Sequence, residues 1–195
     1  TPTHFVPQII TALQAAKKQG LFIPVIYNSS AYEKTDTLKM LDGLIDIYLP
    51  DLKYQDADLS ERYSHAPDYF YTAVRAIDEM VRQVGTPVFT DDADPLMKKG
   101  VIVRHLLLPG CEKDTRRILR YLHETYKNDI YVSIMSQYTP LPQVESIPGL
   151  NRKISSKEYE KIVDFAISIG IENGFIQEGD TAQESFIPPF DEEGV

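Results

Sequence analysis

Four short apolar runs along the chain each end in a small cluster of polar residues: IPVIYNSS at 23–30, IDIYLPDLKY at 45–54, VIVRHLLLPG at 101–110 and YVSIMSQYTP at 131–140. Runs of this length, rich in Ile, Val, Leu and Tyr, have the pattern of strands buried on both faces of a parallel sheet. The segments between them repeat with helical spacing. Over 4–19, Ile9, Ile10 and Leu13 share one face, Pro7 falls in the first turns and Gly20 ends the pattern. A short helix is expected over 33–42, with Leu38 and Leu41 on one face and Gly43 as its stop. The stretch 56–85 predicts a small turn of helix and then a longer one, striped by Ala73 or Val74, Ile77, Met80 or Val81, and Val84. Ile118, Leu119 and Leu122 mark a further helix after the third run. The last helix opens with a capping box, Ser155 followed by Glu158, and carries the stripe Tyr159, Ile162, Val163, Ala166, Ile167 before Gly170.

The strand cores are thus expected at 23–27, 45–49, 101–107 and 130–135. Residues 89–95 read as an acidic surface loop, and 140–148 as a Pro-rich surface stretch. Residues 174–195 carry one more short apolar run, Phe175-Ile176, and then a polar tail. The whole of 1–195 fits one domain. Strands alternating with helices are joined almost always by right-handed crossovers, which both a (β/α) barrel and an open doubly wound sheet satisfy. No glycine-rich phosphate loop follows any strand, which weakens the nucleotide-binding version of the open sheet.

Composition narrows the partners. The formal net charge is -9, the wrong sign for a nucleic-acid partner, since phosphate binding needs excess Lys and Arg. No apolar run approaches the roughly 20 residues that cross a bilayer. The single cysteine, Cys111, excludes an internal disulfide framework and suits a reducing, cytoplasmic setting. It cannot hold a metal cluster by itself. His4, His65, His105 and His123 show no metal-ligand spacing.

In a (β/α) barrel the C-terminal strand ends form one rim, and chemistry sits there. If the four runs lie parallel, Asn28, Asp51, Lys53, Arg104, His105, Gln137 and Tyr138 converge on it. Asp51 and Lys53 stand two residues apart on a strand end and would point to the same side. They read either as a grip on a zwitterionic ligand such as an amino acid or as a surface ion pair of little value. Arg104 lies among apolar neighbours, where a guanidinium is costly unless paired, so it should face inward and meet an acid or a ligand carboxylate. His105 then faces the other way, as a packing histidine. In Ser136-Gln137-Tyr138-Thr139, Tyr138 could stack on a planar base and Gln137 hydrogen-bond it; the cluster also reads as a capped turn before Pro140. Asn28-Ser29-Ser30 is likewise a turn signal, or a polar floor if the rim is real.

Taken in order, these strand ends resemble the radical S-adenosylmethionine proteins related to pyruvate formate-lyase activating enzymes, over almost the whole chain. Asp51-Leu52-Lys53 matches the family's Asp-Leu-Lys signature, and Arg104 with Leu108-Pro109-Gly110 matches its Arg-to-Pro-Gly strand. Pro2 looks like the proline of the Gly-Gly-Glu-Pro motif. Asn28 and Ser29 look like the polar cluster that touches the methionine moiety, with Asn28 where the activating enzymes carry an acid. Tyr138 and Thr139 occupy the position of a Tyr-His pair near adenine, Thr139 replacing the histidine.

The resemblance implies an α/β fold, a partial TIM-type (β/α) barrel with parallel strands, truncated at the N-terminus. It implies S-adenosylmethionine as cofactor, bound by Asn28, Ser29, Asp51, Lys53, Arg104, Gln137, Tyr138 and Thr139. In the family a [4Fe–4S] cluster held by Cys-x3-Cys-x2-Cys reduces the cofactor to a 5′-deoxyadenosyl radical. That motif is missing here, so the expectation is a fragment, inactive alone, that lacks the segment before Thr1 and contains no catalytic or metal-ligating residue. The implied partners are a glycyl-radical enzyme as protein substrate and a reduced flavodoxin- or ferredoxin-type electron donor. A βα-barrel lyase or aldolase with Lys53 as reactive amine is the competing reading.

Overall fold

The computed structural model describes residues 2–147 and 149–176. After a 3-10 turn at Pro2–Phe5 come α1 (Val6–Lys18), β1 (Ile26–Ser29), α2 (Thr35–Lys39), β2 (Ile47–Pro50), α3 (Ala57–Ser64) and α4 (Tyr69–Val84). They are followed by β3 (Val88–Phe89), β4 (Met97–Leu106), α5 (Glu112–Tyr126), β5 (Tyr131–Met135), α6 (Ser156–Ser168) and β6 (Gly174–Ile176). The strands pair in the order β1-β2-β4-β5-β6, and every pair in that row is parallel. Parallel neighbours in chain order, joined by helices, form the arc of a partial (β/α) barrel, and their C-terminal ends share one rim.

Register assigns each side chain to a face. Tyr27 pairs with Tyr48, Tyr48 with Val101, and Val103 with Val132. All five are buried. The helices pack on this face through the stripes read from the sequence: Ala73, Ile77, Met80 and Val84 from α4, Ile118, Leu119 and Leu122 from α5, and Tyr159, Ile162 and Ala166 from α6. The alternate residues, Ile26, Asn28, Leu49, Ile102, Arg104, Leu106, Tyr131, Ser133 and Met135, occupy the opposite face and remain partly or fully exposed. One face is core; the other is open.

Three strand starts differ from expectation by two residues or more, and the short helix expected over 33–42 is confined to Thr35–Lys39. The first strand begins at Ile26 and not at residue 23, because Pro24 has no N–H and the Val25 N–H is taken by the Asp46 carboxylate at 2.8 Å. The second strand is likewise shifted, to Ile47–Pro50. Finally, the expected loop at 89–95 is the tip of a small antiparallel hairpin, in which β3 pairs with an N-terminal extension of β4. Gly100 permits this: its φ is +144°, and a Cβ there would lie 3.1 Å from Cα of Pro87.

The capping box is formed as read, with the Ser155 hydroxyl accepting from the Glu158 N–H and the Glu158 carboxylate accepting from the Ser155 N–H. Residues 177–195, which hold the rest of the tail, lie outside the described residues, while the short run before them forms β6 against β5. No helix among the described residues is long and apolar enough to cross a membrane.

Candidate functional site

Three strands bring three polar side chains together at the rim of the open face. Asn28 comes from β1, Asp51 stands immediately after β2, and Arg104 lies near the end of β4, bridged through its backbone to Asp51. The Arg104 guanidinium donates from Nε (3.0 Å) and Nη2 (2.7 Å) to Oδ1 of Asp51, and from Nη2 to Oδ1 of Asn28 at 2.7 Å. The expected acidic partner of Arg104 is therefore Asp51. The two side chains are 26% and 21% exposed, so the pair is shielded yet reachable. Its bonding is incomplete. Among the described residues the bonds of this pair use Nε and Nη2 of Arg104 and Oδ1 of Asp51, and none uses Nη1 or Oδ2. One unused cationic donor beside one unused anionic acceptor is the complement of a ligand bearing both a carboxylate and an ammonium group.

The other sequence-expected residues are placed differently. Lys53 is exposed and makes no ion pair among the described residues. The opposite charges that meet are Asp51 and Arg104, from different strands, not Asp51 and Lys53 from one. An exposed Lys53 also lacks the desolvation that activates a Schiff-base lysine. Ser29 is buried, with its hydroxyl accepting from the Ala31 N–H at 3.1 Å, so it shapes the turn after β1. Gln137 is exposed, and among the described residues its side-chain NH2 donates to the Met135 sulfur at 3.7 Å. Tyr138 donates to the Leu150 carbonyl at 2.8 Å and pins the Pro-rich loop. Burial raises its hydroxyl pKa, with smaller contributions from Tyr63 and Tyr54. Thr139 is half-buried beside it.

Three buried polar residues hold that segment from below. In the middle of the rim, the Tyr69 hydroxyl on α4 accepts from the Lys53 N–H (3.0 Å) and faces the carbonyls of Asp51 (2.7 Å) and Ser30 (2.9 Å). His105, 2% exposed on the covered face of β4, bonds the Leu52 carbonyl through Nδ1 at 2.7 Å and Thr115 Oγ1 through Nε2 at 2.9 Å. A carbonyl only accepts, so Nδ1 carries the proton and the Thr115 hydroxyl donates to Nε2. Burial pushes the imidazole pKa down to about 4, partly opposed by the Leu52 carbonyl. Asp114, in the first turn of α5, accepts from the N–H groups of Gln55 and Asp56, each at 3.0 Å. Burial raises its pKa, while those two N–H groups and Arg117 pull it down. His105 thus packs on the face opposite Arg104, as expected. Tyr69 and Asp114 carried no signal that distinguishes them from a helix-face aromatic and a first-turn acid.

The described residues include no group of three or more His, Cys, Asp or Glu placed to hold a metal ion. Cys111, the one cysteine in the chain, is half-buried at the start of α5, and burial together with Asp114 and Asp56 raises its thiol pKa. These residues do not fit an iron–sulfur cluster.

No family model matches the chain. An uncharacterized protein of Methanocaldococcus jannaschii is 26% identical over 161 residues, covering 82% of this chain and 43% of that protein. The chain therefore spans less than half the length of this curated relative. The crystal structure of a domain of pyruvate-formate lyase-activating enzyme from Bacteroides vulgatus superposes with a TM-score of 0.64 at 13% identity, over 91% of this chain and 94% of that domain. At that identity the likeness establishes the architecture: the chain has the α/β partial-barrel fold of that activating-enzyme domain.

Proposed function

We propose that the chain is the S-adenosylmethionine-cradling part of a radical enzyme of the pyruvate formate-lyase-activating type. The observation that carries this reading is the Asn28–Arg104–Asp51 cluster, which among the described residues leaves one guanidinium donor and one carboxylate acceptor without a partner on the open face of a parallel partial barrel. In this reading Arg104 holds the methionine carboxylate, Asp51 accepts its ammonium, and Asn28 fixes the guanidinium. Tyr138, with Gln137 and Thr139 beside it, lies toward the adenine; Lys53 borders the cluster, and Ser29 contributes from the opposite face of β1 by shaping the turn that follows Asn28. S-adenosylmethionine, once bound and reduced by one electron, supplies hydrogen-atom abstraction. The cysteines for a [4Fe–4S] cluster would come from outside this chain. A glycyl-radical enzyme is the protein substrate and a reduced flavodoxin- or ferredoxin-type protein the electron donor.

The residues do three things for such a ligand. Asp51 and Arg104 counter the charges of its ammonium and carboxylate groups in a partly desolvated place, where each bond is worth more than in bulk water. Asn28 and Asp51 limit the rotation of Arg104, so less side-chain entropy is lost on binding. The open face leaves room beside the pocket for a large substrate.

The test uses the full-length protein. Isothermal titration should show S-adenosylmethionine binding, weakened at least tenfold by Arg104→Ala and by Asp51→Asn. After reconstitution with iron and sulfide, reduction should release 5′-deoxyadenosine. Absence of that product from a cluster-loaded protein would reject the proposal.

A further inference from the structure

The dipeptide Arg104-His105 grips the dipeptide Asp51-Leu52 from both faces of the sheet. Arg104 takes the Asp51 carboxylate on the open face, and His105 takes the Leu52 carbonyl on the covered face. Between them the Leu52 N–H donates to the Arg104 carbonyl at 2.9 Å, and the Asp51 N–H donates to the Ser29 carbonyl at 2.9 Å. Beyond β2 regular pairing stops, and side chains take over the backbone groups. Tyr69 serves the Asp51 carbonyl and the Lys53 N–H, and Asp114 serves the N–H groups of Gln55 and Asp56.

A loop over a rim normally leaves such groups to water and moves accordingly. Here they are met by three side chains from three different elements. Asp114 and His105 are almost wholly buried, and so is Tyr69. Burying a carboxylate, an imidazole and a phenol is costly unless each is bonded, and here each bonds the backbone of 51–56. Beyond it, the Tyr69 hydroxyl also faces the Ser30 carbonyl, Asp114 lies 4.0 Å from Arg117 Nε, and His105 Nε2 meets the Thr115 hydroxyl that orients the ring. Packing needs no polar atoms at these positions. The Tyr69 ring already stacks with Tyr32 and meets Tyr54 edge-on, so phenylalanine would fill the same space. The polar tips are thus spent on fixing the segment that carries Asp51.

We infer that Tyr69, His105 and Asp114 are positioning residues that hold the backbone of residues 51–56 rigid, so that the Asp51 carboxylate is set for a ligand's ammonium group before the ligand arrives. This rests on the reading of the rim as an S-adenosylmethionine site for the ligand's identity, but not for the clamp itself. A carboxylate on a loose loop pays ordering entropy at each binding event; one held by the clamp has already paid it. None of the three touches the ligand, so their effect on affinity passes through the backbone.

Two measurements on the full-length protein test this. Amide hydrogen exchange in Tyr69→Phe should speed at least tenfold at Lys53, with the β5 amides of Val132 and Ile134 unchanged. Asp114→Asn, which leaves one acceptor oxygen for two N–H groups, should speed exchange at whichever of Gln55 and Asp56 then faces the side-chain NH2. S-adenosylmethionine should bind each variant about tenfold more weakly than wild type. Unchanged exchange at Lys53, or faster exchange with unaltered affinity, would overturn the inference. A wild-type protein that does not bind S-adenosylmethionine sinks the proposed function, and exchange then still decides the clamp. If Tyr69→Phe fails to fold, Asp114→Asn carries the decision alone, since it keeps one acceptor oxygen and the same shape.

Discussion

The two faces of the sheet treat polar groups in opposite ways. On the covered face buried polar tips are mostly spent on the fold: His105 on Leu52 and Thr115, Tyr159 on the Ile134 carbonyl, Tyr27 on one oxygen of Glu33, whose other oxygen, like Nδ1 of His123, is buried with no partner among the described residues. On the open face Asn28, Asp51 and Arg104 bond to one another and stop short of saturation. A saturated buried group stabilises one conformation, whereas an unsaturated, partly exposed one remains available to a ligand. The difference separates residues that build the site from residues that use it, even where the two are neighbours in sequence, as Arg104 and His105 are.

The sharpest way to break this contrast is to damage the covered face alone. Ile118 is fully buried on α5, and Ile118→Ala should cost about 2–5 kcal/mol of unfolding free energy, from lost transfer energy and the cavity left behind. On the proposed function, at a temperature where the variant is still folded, its affinity for S-adenosylmethionine should stay within about twofold of wild type. A loss below 1 kcal/mol in urea unfolding would mean that the helix layer is not packed as described.

Next in size is an acid effect through His105. Its pKa lies near 4 in the folded chain, because burial disfavours the imidazolium, against an ordinary value of 6.5. Between those values the unfolded chain binds a proton that the folded chain does not. Stability from this group is therefore complete above pH 6.5, and it is lost as pH falls toward 4. Two and a half pH units correspond to about 3 kcal/mol. Asp114, whose pKa is raised, works in the opposite direction and removes part of the slope. His105→Gln should flatten the decline in urea-unfolding free energy between pH 7 and 4.5. Equal slopes in variant and wild type would mean that the imidazole is not held neutral.

What could be read from the sequence follows the same division. Strand runs of Ile, Val and Tyr, and helix stripes such as Ile118, Leu119 and Leu122, state their burial directly, so the parallel order and the covered core were legible. Arg104 was legible because a guanidinium in an apolar strand demands a partner. Which acid answers it is a matter of register, and register brings Asp51 beside Arg104 while leaving Lys53 in solvent. The β3–β4 hairpin was hidden because Met97-Lys98-Lys99 has no apolar alternation and its partner strand is two residues long. Asp114 was hidden for a different reason. An acid in the first turn of a helix already has a local explanation in the helix dipole, and nothing nearby indicates that its partners are the N–H groups of Gln55 and Asp56, nearly sixty residues earlier.

The smallest expected effect tests whether the division also holds at the helix starts, which lie at the rim end of the fold. Ser155 caps α6 by accepting from the Glu158 N–H at 3.3 Å, and Glu158 returns a bond to the Ser155 N–H at 3.0 Å. Arg152 holds the same carboxylate at 2.6 and 2.8 Å, and together Arg152 and Ser155 lower its pKa to about 2. Ser155→Ala removes the cap acceptor but leaves Arg152 and the Ser155 backbone N–H in place, so the loss should be about 1 kcal/mol by urea unfolding. The capping box is saturated and bonds no residue of the Asn28–Arg104–Asp51 cluster. Ligand affinity should therefore not move. A Ser155→Ala protein that unfolds as wild type does but binds S-adenosylmethionine tenfold more weakly would place the start of α6 in the ligand site and erase the distinction drawn between the two faces.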